Sequence, residues 1–147
     1  SKSDLIADDG SISAIGLIKN NFVACIISVI TGSFPFMFFP IFSLLMNGIL
    51  VGVTLGFVKA VAGKSIIKSF LCGILPHGIF EIPALIISMA MGIYLCLFIS
   101  SKIIGKNKYK FSELLKNYII ILCIVIFPLV VIAGFVEAYI TPILINI

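Results

Sequence analysis

The chain reads as long apolar runs separated by short lysine-bearing stretches. The first run opens at Asn20-Asn21 and extends to about Phe39. No charge occurs over residues 20–58, which is room for two crossings at ~20 residues each. Pro35 and Pro40, inside the aromatic stretch FPFMFFPIF (34–42), mark the turn between them, and the second run covers about Ile41 to Val61. Lys59, Lys64 and Lys68 follow. The third run, 69–101, is interrupted by ILPHGIFEIP (74–83). Lys102, Lys106, Lys108, Lys110 and Lys116, with Glu113, separate it from a last run from Tyr118 to about Tyr139. These runs are continuous rather than alternating, which predicts helices and not a barrel.

The lysines set an expected orientation. Placing both Lys-rich stretches on the cytoplasmic side requires an even number of crossings between Lys68 and Lys102. The residues available fall short of two full crossings, so the pattern predicts a short or broken helical hairpin turning near Pro76-His77-Gly78. The predicted fold is all-α, a polytopic membrane helix bundle of about five segments, with the N-terminus inside and the C-terminus outside. Residues 1–19 are expected to be a polar or interfacial lead-in, with SISAIGLI (11–18) as a short amphipathic piece, and 20–147 a single transmembrane domain. The first apolar run lacks a small-residue cleavage site and is read as retained rather than as a signal peptide.

Composition supports the membrane reading. Apolar residues make up 61% of the 147 residues, charged residues only 11%, and the mean hydropathy is +1.30. A soluble domain of this length has no interior large enough for that much apolar surface. The net charge of +4 comes entirely from lysine, without arginine, which speaks against nucleic acid as a partner. Cys25, Cys72, Cys96 and Cys123 all lie in apolar runs without C-x-x-C spacing, so they read as small packing residues and not as a disulfide framework.

Gly48, Gly52 and Gly56 recur every fourth residue and share one helix face, where another backbone can approach closely. Packing within the chain is the first expectation, a homodimer face the alternative. Asn20, Asn21 and Asn47 are secondary polar candidates.

Three ionisable residues sit in apolar surroundings: His77, Glu81 and Glu137. Each costs about 2–3 kcal/mol at a helix centre on insertion scales, so such groups are paired and mark functional sites. His77 and Glu81 are four residues apart and share a helix face. Glu137, near the end of the last run, is expected to meet them at the hairpin tip. A hydrogen-bonded polar cluster, a zinc or iron site with these three as ligands, and a proton or substrate path are the open readings. No cofactor is otherwise predicted. Neither a G-x-S-x-G nor an H-E-x-x-H motif is present.

Asn20-Asn21-Phe22, Asn47-Gly48 with the spaced glycines, Leu75-Pro76-His77-Gly78-Ile79-Phe80-Glu81-Ile82-Pro83, and Ala133-Gly134-Phe135-Val136-Glu137-Ala138 before Thr141-Pro142 occur in this order. Together they resemble the stage II sporulation protein M (SpoIIM) family, over about residues 20–142. The resemblance implies a multi-helix protein of the bacterial inner membrane. The founding member acts in forespore engulfment and anchors peptidoglycan hydrolases, and some relatives accompany ABC transporter components in circular-bacteriocin production and immunity. The expectation is a non-enzymatic scaffold for cell-envelope remodelling, with peptidoglycan hydrolases as partners. A transport or immunity component working with an ABC ATPase subunit is the alternative. A metal-dependent membrane enzyme is a third.

Overall fold

A computed structural model describes residues 13–33, 38–63, 65–105 and 110–146. They form four helices long and apolar enough to cross a membrane. These are α1 (Ala14–Gly32), α2 (Phe38–Ala62), α3 (Ile66–Ile103) and α4 (Phe111–Ile145). The Ser13 hydroxyl caps α1, accepting a hydrogen bond from the Gly16 N–H at 3.1 Å. The helix therefore starts before Asn20, and residues 14–19 continue it.

The predicted hairpin is not formed, and the described residues give four such helices rather than about five segments. Residues 66–103 make one continuous helix of 38 residues, about 57 Å at 1.5 Å per residue. Pro76 falls in the first turn of its long α-helical part, where a missing N–H is tolerated. Gly78 keeps helical geometry, because positive φ occurs only at Gly63 (63°) and Gly105 (74°) among the described residues. Those two glycines stop α2 and α3, their N–H groups returning to the Lys59 and Lys102 carbonyls at 3.1 Å each. Lys68 and Lys102 consequently sit at opposite ends of one helix. Were all four to cross, Ala14 and Ile145 would share one side of the membrane, whereas five segments would put the ends on opposite sides.

Three π turns interrupt the long helices, at Phe70–Ile74, Leu122–Ile126 and Val136–Ile140. Each ends two residues before a proline: Pro76, Pro128 or Pro142. Proline cannot donate to the carbonyl four residues back, and its ring collides with it. Here those carbonyls belong to Cys72, Ile124 and Ala138, the middle residue of each widened turn. Widening moves the obstructed carbonyl aside and lets the helix continue. Pro83, on the exposed side of α3, is accommodated without one.

The core is where α1, α3 and α4 meet. Cys25 of α1, Ala84, Met91 and Phe98 of α3, and Leu114, Tyr118, Ile126 and Val130 of α4 are its buried members. Between α1 and α3 the contact is backbone to backbone. A Cβ on Gly92 would stand 2.7 Å from the Val29 carbonyl oxygen and 2.8 Å from Gly32 Cα. Small residues at four-residue spacing, Ala84, Ser88 and Gly92, make this approach possible. The Ser28 and Ser88 hydroxyls donate to the Ala24 and Ala84 carbonyls, both at 2.8 Å, and so present no unmet donor there. Between α1 and α4, Gly134 seats Ile18, and Phe22 meets Phe127 edge to face at 5.6 Å. The Tyr118 hydroxyl ties α4 to α3 by donating to the Met91 carbonyl.

Among the described residues the glycine ladder meets no close neighbour. No side chain or neighbouring backbone lies within 4 Å of a Cβ built at Gly48, Gly52 or Gly56, and none of the Leu45–Ala62 window is buried. The close glycine contacts belong to Gly32, Gly92 and Gly134 instead.

Candidate functional site

The polar site lies between α3 and α4, near the end of the bundle that carries the α2–α3 loop. The register of this antiparallel pair fixes who faces whom. A Cβ on Gly73 would touch Ile145 Cδ1 at 3.4 Å. Eight residues further along each helix, Glu81 lies within the electrostatic reach of Glu137, and of His77 on its own helix. His77 and Glu81 form a polar rung on α3, and Glu137 and Thr141 form one on α4. H-x-x-x-E on one helix is matched by E-x-x-x-T on the other.

Both helices are widened here. The π turn Phe70–Ile74 ends just before His77, and the turn Val136–Ile140 holds Glu137. The Thr141 N–H reaches back five residues to the Val136 carbonyl, and Pro142 has no N–H to return to the turn at Glu137-Ala138. That turn is one backbone donor short.

Several polar atoms in and near the rungs have no hydrogen-bond partner. They are His77 Nδ1, Thr141 Oγ1 and, on α1, Asn21 Nδ2. Thr141 is 7% exposed and Asn21 8%. Such orphaned groups are uncommon in folded chains, and each calls for a reason. Cys25 of α1 and Ser88 of α3 are both buried in the adjoining core.

The sequence-derived candidates fall into two groups. His77, Glu81 and Glu137 share one electrostatic neighbourhood, because α3 and α4 run side by side and not because a hairpin tip meets the last segment. Asn20 and Asn47 are exposed on helix surfaces, away from the rungs, and only Asn21 is buried. Among the described residues no three His, Cys, Asp or Glu side chains are grouped to hold a metal ion. His77, Glu81 and Glu137 are neighbours without forming the three-ligand zinc or iron set. Thr141 was missed by sequence reasoning, although its four-residue spacing from Glu137 repeats that of His77 and Glu81.

Comparison with known proteins gives this arrangement its relatives. The profile of the family described as Stage II sporulation protein M, SpoIIM, matches residues 3–142. Two uncharacterized proteins of Methanocaldococcus jannaschii are similar. One is 32% identical over 85% of this chain and 69% of its own length. The other is 33% identical over 84% of this chain and 53% of its own length. The chain thus spans about half of the second relative. Both come from an archaeon, so the likeness reaches beyond the bacteria that the resemblance implied. No solved structure matches. With the family's profile covering nearly all of the described helices, the chain belongs to the SpoIIM family.

Proposed function

We propose that the chain is a non-enzymatic membrane scaffold that gathers cell-envelope proteins, peptidoglycan hydrolases among them, by seating their membrane helices on α2. The observation that carries this reading is α2 itself. Its Gly48, Gly52 and Gly56 are open, and Leu50, Val53, Phe57 and Val61 point outward. In lipid, helices associate through close backbone approach rather than through apolar burial, and a bare glycine face is the surface that permits it. The family's name and its founding member's role supply the envelope setting.

Co-purification from native membranes in mild detergent tests this. Gly52→Leu is expected to lose the co-purifying envelope proteins. The melting temperature of the chain should change little, because a Cβ at Gly52 meets nothing within 4 Å among the described residues. Equal recovery with both chains refutes the role of α2. Recovery of an ATPase subunit instead supports the second reading, a transport or immunity component. The polar rungs favour that reading, since ionisable groups beside interrupted helices are common in transporters.

A further inference from the structure

We propose that the groove between the C-terminal part of α3 and the N-terminal part of α4 is a binding site for one anionic phospholipid of the surrounding bilayer. Its acyl chain enters between Ile87 and Ile121, its ester carbonyls meet the Asn117 amide, and its phosphate meets Lys110.

Position is the first argument. The groove holds about 700 Å³, within the size range of ligand pockets. Among the described residues only α3 and α4 line it. Two contacts fix the register of the pair there: Phe98 meets Phe111 at 6.2 Å, and the Tyr118 hydroxyl donates to the Met91 carbonyl. α1 is about as long as the hydrocarbon layer is thick, and it ends at Gly32 beside Gly92. Gly92 therefore marks the edge of that layer on α3. The lining of α3 extends to both sides of this edge, from Ile87 to Phe98. From Gly92 to Phe98 is about 9 Å, close to the depth of a headgroup layer. Tyr94, 55% exposed, sits at the edge, where membrane tyrosines collect. The groove thus straddles the boundary that a phospholipid straddles.

Polarity along the groove is the second argument. Ile87 and Ile121 stand at the hydrocarbon end, Asn117 near the edge, and Glu113 and Lys110 at the outer end. The Tyr118 hydroxyl is already bonded to Met91, so the floor asks no hydrogen bond of an acyl chain. Net charge selects the headgroup. Residues 100–117 carry Lys102, Lys106, Lys108, Lys110 and Lys116 against one acid, Glu113. Lysine clusters of this size beside a membrane helix attract anionic lipids. A zwitterionic headgroup brings no net charge to meet them. Lys110 is exposed, and its long stem can lie along the groove while its ammonium reaches a phosphate. Glu113, on the same rim, opposes the phosphate and so weakens the site.

The site lies on α3 and α4 and not on α2, so its failure is separate from failure of the scaffold reading. The whole chain is placed in phosphatidylcholine nanodiscs with a minor proportion of phosphatidylglycerol that carries a photoactivatable group in its acyl chain. Cross-linked residues are mapped by mass spectrometry. The expected result is labelling concentrated in residues 87–98 and 110–121. Unlabelled phosphatidylglycerol should displace it at least about fivefold better than phosphatidylcholine or phosphatidylethanolamine does. This measurement on the wild-type chain does not depend on any variant folding. Lys110→Gln should cut the preference about fivefold, the effect of one lysine near an anionic surface, and Glu113→Gln should raise it. Equal displacement by phosphatidylcholine, stronger displacement by phosphatidylethanolamine, labelling as heavy on α2, or a preference unchanged in both variants would each overturn the proposal. Cross-links between copies through the groove, with lipid labelling lost, would assign it to a second copy of the chain and overturn it too.

Discussion

Gly92 has no room for a methyl group. Its missing Cβ would fall 2.7 Å from the Val29 carbonyl oxygen and 2.8 Å from Gly32 Cα, and both are backbone atoms that cannot swing away. Gly92→Ala must therefore push α1 from α3. The expected cost is about 1–3 kcal/mol, the range for overpacked cores. Gly52→Ala, in open space, is expected to leave stability within about 0.5 kcal/mol. Chemical unfolding of both variants in detergent checks the contrast. Equal losses would mean that α2 packs more closely than described. At this scale the site was partly legible. An ionisable group inside an apolar run stands out in any sequence, and His77, Glu81 and Glu137 did. Thr141 did not, because a hydroxyl in a membrane helix usually bonds its own backbone, and only the neighbouring π turn denies it that bond.

At the scale of the helix, a π turn holds one residue more than an α turn would. Deleting that residue should restore α geometry and leave the register beyond it intact, provided the proline behind it no longer obstructs. The pair Cys123 deletion with Pro128→Ala is therefore expected to melt close to the wild type. Cys123 deletion alone should melt lower, and deletion of Ile119, in regular α-helix, should rotate everything after it by about 100° and abolish folding. Thermal melting in detergent separates these outcomes; indistinguishable losses for all three would break the link between proline and π turn. The same physics explains the misread hairpin. Pro-His-Gly signals a turn in water, where freed backbone groups are solvated. Inside an apolar helix nothing else solvates them, so the chain widens and carries on. The real stops were visible as Gly63-Lys64 and Gly105-Lys106, glycine followed at once by charge. The packing seam was visible too, as Ala84, Ser88 and Gly92, but the more regular glycines of α2 drew attention from it.

For the whole molecule, the α2–α3 and α3–α4 connections lie at opposite ends of α3. In a background without native cysteines, Ser65→Cys and Ile104→Cys, both exposed, should react with an impermeant thiol reagent from opposite faces of sealed vesicles. Labelling from one face would restore the hairpin. The all-α membrane character was legible from composition and from the continuous apolar runs, because lipid leaves a polar backbone few ways to satisfy itself. Crossing number was not. It was inferred from lysines on the assumption that both clusters share a side, whereas one helix separates them.

One difference in length bears on how the molecule meets its bilayer. α1 has 19 residues, about 28 Å, which matches a hydrocarbon layer of about 30 Å. α3 has 38, and because Gly32 meets Gly92, its last eleven residues extend beside α4 for about 16 Å past the end of α1. There the pair carries Lys102, Lys110, Glu113 and Asn117 beside an open groove of about 700 Å³. A membrane thin enough to suit α1 leaves this two-helix arm standing among the headgroups. A thicker membrane draws the arm inward, and its charged turns resist. Bilayers of different thickness are therefore expected to cover different lengths of this arm.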